Sequence, residues 1–292
     1  MSRIIFYLYH EDLESRENLK FFLQHGRKEG GVFVWIIHDH HCSIEIPEST
    51  ESIPSKIIRK NNALDLVGFR QVMDQLENDQ DSHAQLFQPS RYDYVFFMNS
   101  SCRGPFMAPS SCVDRWWDIF IRRMQTKNAH LVGPVIEVPF NSITCPETGQ
   151  TLQSVPFVHS YMLAMDAEAF SMFRKKVCPY LQDDTPRLTL LAIERYLSAV
   201  LLREGLRIDS LLIRYHNTDW LDRSQWIVLP TPRTRVTCPE VPGNYGGIDL
   251  SPLEVVFFKN VRRVHEGRSA VSAGISDSVQ LMIHRYTEWI NR

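Results

Sequence analysis

The sequence predicts an α/β protein, an α/β/α sandwich built around a mainly parallel central sheet. Short apolar runs of strand length alternate along the chain with segments whose apolar residues recur at helical spacing. One of these runs, residues 94–98, is apolar throughout, as is typical of a strand buried on both faces. It breaks abruptly into small polar residues, which is how such a sheet presents ligand contacts at its carboxyl edge.

Strands and helices alternate most clearly in the first half of the chain. The apolar runs predict strands at residues 4–9, 32–37, 57–58, 94–98 and 131–138, and helical spacing predicts helices at 14–24, 64–76 and 113–124. Because helices connect successive strands, we expect those strands to run parallel with helices on both faces.

The second half of the chain is less regular. Its pattern predicts strands at 157–165 and 208–215, helices at 167–175, 187–204, 253–261 and 276–290, and a long loop at 220–247. The absence of a repeat, a low-complexity tract or a linker predicts a single domain over residues 1–292.

Composition excludes several classes of protein. The 292 residues are 43% hydrophobic, which is enough for a sizeable core, and a net charge of -2 gives no overall field that favours nucleic acid or anionic membrane. Six cysteines occur without a CxxC pair, so they predict no zinc pattern and are typical of a reducing compartment. With no apolar run long enough to span a membrane and no signal peptide, we expect a cytoplasmic protein.

The most informative segment is YDYVFFMNSSCRGPF, residues 92–106. The side-chain oxygens of Asn99 and Ser101 suit a hydrated divalent cation or a ribose, and Arg103 suits a phosphate. The alternative is a strand that runs into an ordinary turn, since Asn, Ser, Gly and Pro are common turn residues.

Five blocks in the same order give the chain a resemblance to nucleotide-sugar glycosyltransferases with the GT-A fold. The blocks are YDYVFFMNSSCRGPF, LVGPVIE, VHSYMLAMDAEAF, AIERYLSAVLLREGLRI and GGIDLSPLEVVFFKNVR. Among such enzymes, the chain looks most like the capsid-glycan enzymes of large green-algal viruses, including the β-xylosyltransferase type. A viral origin would place the protein in the host cytoplasm.

The resemblance implies a Rossmann-like domain with a nucleotide-binding half, about residues 1–130, and an acceptor-binding half, about 131–292. The nucleotide would lie across the carboxyl ends of the first strands, where Tyr9, His10 and Asp39 stand. The 61–65 turn is similar to a family turn beside the nucleotide, which makes Asn62 and Asp65 candidates for base or ribose contacts. A helix N-cap explains the same two residues equally well.

The chain departs from the family where an Asp-x-Asp normally holds ribose and metal. Asn99, Ser100 and Ser101 stand there instead, and neutral oxygens are weaker ligands for a hard dication. The resemblance implies Mn²⁺ or Mg²⁺ near Asn99 and Ser101, bound mostly through diphosphate and water. The alternative is a leaving diphosphate stabilised by the cations Arg103 and His159.

An inverting transferase needs a carboxylate that deprotonates the acceptor hydroxyl. In many inverting GT-A enzymes an acidic residue lies about 11 residues before the glycine that ends a helix. Glu194 has that spacing from Gly205 and is the first candidate, while Asp166, after an apolar strand, is the second. The structural alternatives are an exposed helical glutamate and a helix N-cap, respectively.

The resemblance therefore implies transfer of a sugar, with xylose favoured, from a UDP-sugar to a hydroxyl of a glycan or glycoprotein with inversion. The alternative is a degenerate, non-catalytic module that binds nucleotide or glycan. A nicotinamide-dependent enzyme is disfavoured, because no GxGxxG turn follows the first strand.

Overall fold

A seven-stranded sheet forms the centre of the computed structural model, which describes residues 1–38, 41–60, 65–79, 84–108, 113–226, 237–259 and 275–291. Its strands are β1 (Arg3–Tyr9), β2 (Val32–His38), β3 (Ser55–Lys60), β4 (Tyr94–Asn99), β6 (Leu131–Gly133), β11 (Met162–Asp166) and β12 (Ile208–Ser210). Two-stranded ribbons use β5 (Cys102–Arg103), β7 (Ile136–Glu137), β8 (Ile143–Thr144), β9 (Thr151–Leu152), β10 (Phe157–Val158) and β13 (Phe258–Lys259).

Seven α-helices are found in the described ranges. They are α1 (Leu13–His25), α2 (Asp65–Asn78), α3 (Trp116–Lys127), α4 (Ala167–Met172), α5 (Arg187–Arg203), α6 (Pro252–Val255) and α7 (Asp277–Ile290). None of these helices combines the length and the apolar character needed to cross a membrane.

The strand order is β12-β6-β11-β4-β1-β2-β3, and all of these strands run parallel except β11. The α/β architecture and the mainly parallel, Rossmann-like sheet are therefore confirmed. The chain moves outward from β1 to β2 and β3, and then returns to place β4 on the other side of β1. Strand order reverses between β1 and β4. In open α/β sheets, the carboxyl ends at such a reversal form the crevice where ligands bind.

Both faces of the sheet are covered, as continuous apolar strands require. Along β1, Ile4, Phe6 and Leu8 contribute to one hydrophobic cluster, whereas Ile5, Tyr7 and Tyr9 contribute to the other. Residues 4–9 are all buried because alternate side chains of a strand point to opposite faces.

Several predicted elements are shorter than expected. The predicted strand at 131–138 divides into β6 and β7, because Pro134 has no N–H to continue the ladder. The predicted strand at 157–165 divides into β10 and β11, and the one at 208–215 ends at Ser210.

The predicted helix at 253–261 is confirmed at 253–255 and is wrong at 256–259. Only Pro252–Val255 is helical, and Val256 then adopts a φ of 65° that ends the turn. Lys259 lies in strand β13, paired with Cys102, while residues 260–261 lie outside the described ranges. Pairing of residues 258–259 with residues 102–103 replaces local helix formation here. The spacing of apolar residues around 253–261 does not predict this long-range pairing.

Gly104 lies where residues 102–106 pack against residues 256–259. Phe106 N–H donates to Val256 O at 2.7 Å. A Cβ atom on Gly104 would lie 2.4 Å from the same carbonyl oxygen and 2.5 Å from a Phe257 ring carbon. The glycine therefore permits the close approach of the two segments that flank β5 and β13.

We expect Gly104→Ala to lower the free energy of unfolding by about 2–3 kcal/mol, since a backbone oxygen cannot yield without moving the segment. Gly149→Ala is the matched control, because φ is 70° there but a Cβ meets nothing within 4 Å. It should cost only about 1 kcal/mol. Denaturant titration measures both, and equal losses would contradict the steric argument.

Candidate functional site at the carboxyl edge of the sheet

Ser100 joins the carboxyl ends of β1 and β4. Ser100 N–H donates to Leu8 O at 2.9 Å, and Ser100 Oγ accepts a hydrogen bond from His10 N–H at 3.2 Å. The first residues beyond both strands are thereby held together. The side chains that follow, His10 on one strand and Asn99 and Ser101 on the other, belong to the same edge.

Asn99, Ser101 and Asp65 form a hydrogen-bonded cluster at this edge. Asn99 Nδ2 donates to Asp65 Oδ1 at 3.0 Å, which orients the amide. Asn99 Oδ1 accepts from Ser101 N at 3.1 Å and from Ser101 Oγ at 2.5 Å. The first residue of α2 thus meets the polar end of β4, although 34 positions separate Asp65 from Asn99.

These hydrogen bonds bear on whether Asn99 and Ser101 can act as metal ligands. The amide oxygen of Asn99, the atom that would bind a cation, already accepts two hydrogen bonds. Asp65 is the one carboxylate in the cluster, and it accepts from the Asn99 amide. This arrangement does not fit a Mn²⁺ or Mg²⁺ held by the protein, because hard dications prefer several charged oxygens.

Glu194 lies on the same edge as Asn99. Its Oε1 accepts a 2.6 Å hydrogen bond from Ser160 N–H, in the turn between β10 and β11. The next residue in that turn, Tyr161, accepts from Asn99 N–H through its carbonyl at 3.0 Å. Within the described chain, Oε2 of Glu194 accepts no hydrogen bond, so one oxygen is anchored and the other is available.

Asp166 lies at the opposite edge of the sheet. In the antiparallel pair it stands across from Tyr94, at the start of β4, whereas Asn99 is at the end. Five residues of strand separate the two edges by about 16 Å. Asp166 caps α4 by accepting from Ala169 N–H at 2.9 Å, and its other oxygen lies 2.8 Å from His130 Nδ1. The structure therefore supports the N-cap interpretation and separates Asp166 from the crevice.

Tyr9 is fully buried and its hydroxyl donates to Glu11 Oε2 at 2.7 Å. Burial, reinforced by this bond, raises the pKa of the Tyr9 phenol. The Tyr9 side chain therefore belongs to the core and does not face a ligand. Of the other candidates near the nucleotide, Asp39 and Asn62 lie outside the described residues.

Glu11 organises the loops that follow β1 and β2. Its carboxylate accepts hydrogen bonds from Tyr9, from Arg16 and from both the backbone and the hydroxyl of Ser43. Burial by itself would raise the pKa of Glu11, but these bonds outweigh burial and lower the pKa to about 2. The sequence offered no signal for this role, because Arg16 and Ser43 come from separate segments.

His10 has a ring atom without a partner. Its Nδ1 is buried and makes no hydrogen bond in the described part of the chain, while its ring centroid lies 4.8 Å from that of His38. The ends of β1 and β2 thus bring two imidazoles together beside the crevice. A buried polar atom without a partner is costly, and a ligand hydrogen bond would remove that cost.

Arg103 is anchored to helix α1. Its Nε donates to Asn18 Oδ1 at 2.9 Å, and Asn18 Nδ2 donates to Ser100 O at 2.8 Å. Burial lowers the pKa of the guanidinium, although an arginine remains charged. The chain from Arg103 through Asn18 to Ser100 supports the crevice from the α1 side.

His159 lies between two glutamates rather than facing an open site. Its Nε2 is 3.1 Å from Glu137 Oε2, its Nδ1 is 3.5 Å from Glu240 Oε2, and the Glu240 side chain is fully buried. Burial alone would lower the pKa of His159, but hydrogen bonds to the two carboxylates raise it to about 9. For Glu137 the effect of burial is the opposite, because burial raises the pKa of a carboxyl group. The hydrogen bond with His159 outweighs it and lowers the pKa of Glu137.

Sequence reasoning missed both glutamates that surround His159. Glu137 ends the apolar block at 131–137, and Glu240 lies in the 220–247 segment, which has no regular period. The Pro-rich run around Glu240 gave no reason to single out one acid. The sequence matches no known protein-family model and no curated protein.

Glu11 makes stability depend on pH in a defined window. Its pKa is lowered from an ordinary 4.5 to about 2, so its contribution is complete above about pH 4.5 and is lost as pH falls toward 2. We expect Glu11→Gln to cost about 2 kcal/mol at pH 7, and less as pH falls through that window.

Urea titrations of wild type and Glu11→Gln between pH 7 and pH 3 measure this difference. Glu17→Gln is the control, because that side chain is 55% exposed and pairs with the similarly exposed Lys20. Its effect should stay near zero at every pH. A Glu11→Gln deficit that does not shrink with acid would contradict the assignment.

Proposed function

We propose that the protein is an inverting glycosyltransferase that moves a sugar from a UDP-sugar to a hydroxyl of a glycan, with xylose as the favoured sugar. The observation that carries the proposal is the meeting of two sets of residues at one edge of the sheet. The Asp65–Asn99–Ser101 cluster lies at the topological switch point, and Glu194 is anchored beside the turn that pairs with Asn99.

In this proposal Glu194 is the general base. Ser160 N–H holds Oε1, and Oε2 takes the proton of the acceptor hydroxyl as that oxygen attacks the anomeric carbon. The bond from the anomeric carbon to the diphosphate oxygen breaks as the new bond forms, so UDP leaves with the electron pair. A fixed carboxylate keeps the base oriented, which supplies part of the rate enhancement.

The donor side is assigned to polar contacts rather than to a metal. Asp65 and Ser101 offer oxygens for ribose hydroxyls, and His10 offers a buried ring nitrogen. Lys259, whose Nζ lies 5.8 Å from the centroid of the Tyr161 ring, brings positive charge to the turn that pairs with Asn99. His159 is committed to two glutamates, so we do not assign it to the diphosphate.

A dinucleotide enzyme is less consistent with the end of β1. In that class the pyrophosphate lies on the N-terminus of the helix after the first strand. Here Asp12 caps α1 by accepting from Ser15 N–H, and Glu14 lies in the first turn. These negative charges already satisfy the helix dipole and would repel a pyrophosphate.

The second candidate function is a non-catalytic module that binds nucleotide or glycan. The neutral Asn99-Ser100-Ser101 stretch favours it, because a transferase that has lost its acidic pair retains the pocket but not the chemistry. A nucleotide-binding module differs from the transferase in turnover and not in UDP binding, whereas a glycan-binding module lacks both. The experiments below therefore measure binding and chemistry separately.

We expect UDP at about 100 times its Kd to raise the melting temperature by about 5 °C, in EDTA as well as with Mn²⁺. Asn99→Ala should lose most of the shift, since it removes the centre of the donor cluster. Asn141→Ala, at an exposed asparagine that bonds Arg195, is the control. No shift at millimolar UDP would reject the transferase and a nucleotide-binding module alike, and binding without hydrolysis of any UDP-sugar would favour the module.

We expect Glu194→Gln to lower kcat at least about 100-fold while UDP affinity stays within about threefold, because glutamine still accepts from Ser160 but takes no proton. Asp166→Asn is the matched control, and it should retain transfer because Asp166 lies at the other edge. Initial rates with UDP-xylose and a glycan acceptor measure both. Wild-type turnover in Glu194→Gln would remove Glu194 as the base.

A further inference from the structure

A cluster of metal-binding side chains lies outside the residues that the transfer reaction uses. Glu137, His159 and Cys238 each place one ligand atom within 4.8 Å of the other two. We propose that these three residues bind a zinc ion. The site is independent of the proposed transferase activity, because neither UDP nor Glu194 takes part in it.

Strand pairing brings two of the ligands together. β7 and β10 are antiparallel, with Glu137 across from Phe157, so His159 follows the end of the same ribbon. His159 Nε2 then lies 3.1 Å from Glu137 Oε2. Cys238 follows Thr237, whose hydroxyl donates to Glu137, and Cys238 is a partly buried residue.

The spacing is close to that of a tetrahedral zinc site. Zinc bonds of about 2.0–2.3 Å at tetrahedral angles place neighbouring ligand atoms about 3.3–3.6 Å apart. The 3.1 Å gap between His159 and Glu137 needs to widen by only a few tenths of an ångström. The thiol lies within about 1.5 Å of its required spacing, which one rotation of a cysteine side chain supplies.

The surroundings orient two of the three ligands. Glu240, fully buried, faces His159 Nδ1 at 3.5 Å and leaves Nε2 directed at Glu137. Thr237 Oγ1 donates to Glu137 Oε1 and leaves Oε2 directed at His159. A carboxylate behind a ligating histidine is the usual outer support of a zinc site, since it fixes the tautomer and the ring orientation.

The chemistry of the three ligands determines which metal the site prefers. A thiolate and an imidazole favour zinc over Mg²⁺ or Mn²⁺, which prefer oxygen ligands. Three protein ligands leave a fourth position for water or a substrate oxygen. Bound zinc would also join residues 237–240 to the β7–β10 ribbon, so it should raise stability.

Zinc binding to the full-length protein, freed of metal by chelator dialysis, tests the proposal. We expect one Zn²⁺ per chain with a Kd of about 1 µM or tighter by competition with a chromophoric chelator. Cys238→Ser should weaken binding at least about 100-fold and Glu240→Gln about 10-fold or more. Cys42→Ser is the matched control, since Cys42 lies in the loop after β2 and should leave binding unchanged.

Absorption spectra with Co²⁺ in place of Zn²⁺ test metal binding directly. A purely structural role of these residues predicts no change in the spectrum between the variants. The wild type and Cys42→Ser should show a sulfur-to-cobalt charge-transfer band, and Cys238→Ser should lack it. Circular dichroism verifies that each variant is folded. Absence of Zn²⁺ binding in the wild type, or unchanged Zn²⁺ affinity in folded Cys238→Ser, would overturn the proposal and leave His159 in an ion-pair triad alone.

Discussion

The antiparallel pairing of β11 with β4 determines which side chains meet at the candidate site. Because β11 runs against its neighbours, its first residues lie at the edge where the parallel strands end. Tyr161 O accepts from Asn99 N–H there, and the preceding turn carries His159 and Ser160 to the same place. A parallel strand in that position would have delivered its carboxyl end, Asp166, to this edge instead.

Two kinds of polar structure occur beside this edge. The Asp65–Asn99–Ser101 cluster is mostly neutral, whereas Glu11 and the His159 group are charged and surrounded by hydrogen-bond partners. Buried charges are tolerated only when such partners replace water. The charged groups therefore brace the loops around the crevice, whereas the Asp65–Asn99–Ser101 cluster holds the polar end of β4 against the start of α2.

The proposed transfer and the proposed zinc site use neighbouring turns for different purposes. Ser160 directs Glu194 through its backbone N–H, while the adjacent His159 turns toward Glu137 and Glu240. One short segment therefore serves both groups, Ser160 through its backbone and His159 through its side chain. A metal at His159 would stiffen the turn that holds the base without contacting the reaction itself.

Local sequence determined the α/β class, the core of β1, β2 and β4, and the helices α1, α2, α3, α5 and α7 to within a few residues, because hydrophobic periodicity is a local property. It also singled out Asn99 and Ser101, whose edge of the sheet follows from strand direction, whereas Glu194, on helix α5, reaches that edge through its contact with Ser160. Tertiary structure alone decided that Asp166 faces away, that Lys259 pairs with Cys102, and that Glu137, Glu240 and Cys238 surround His159. The physical reason is that these contacts join residues distant in sequence, and their geometry is set by strand order and register, which no local pattern encodes.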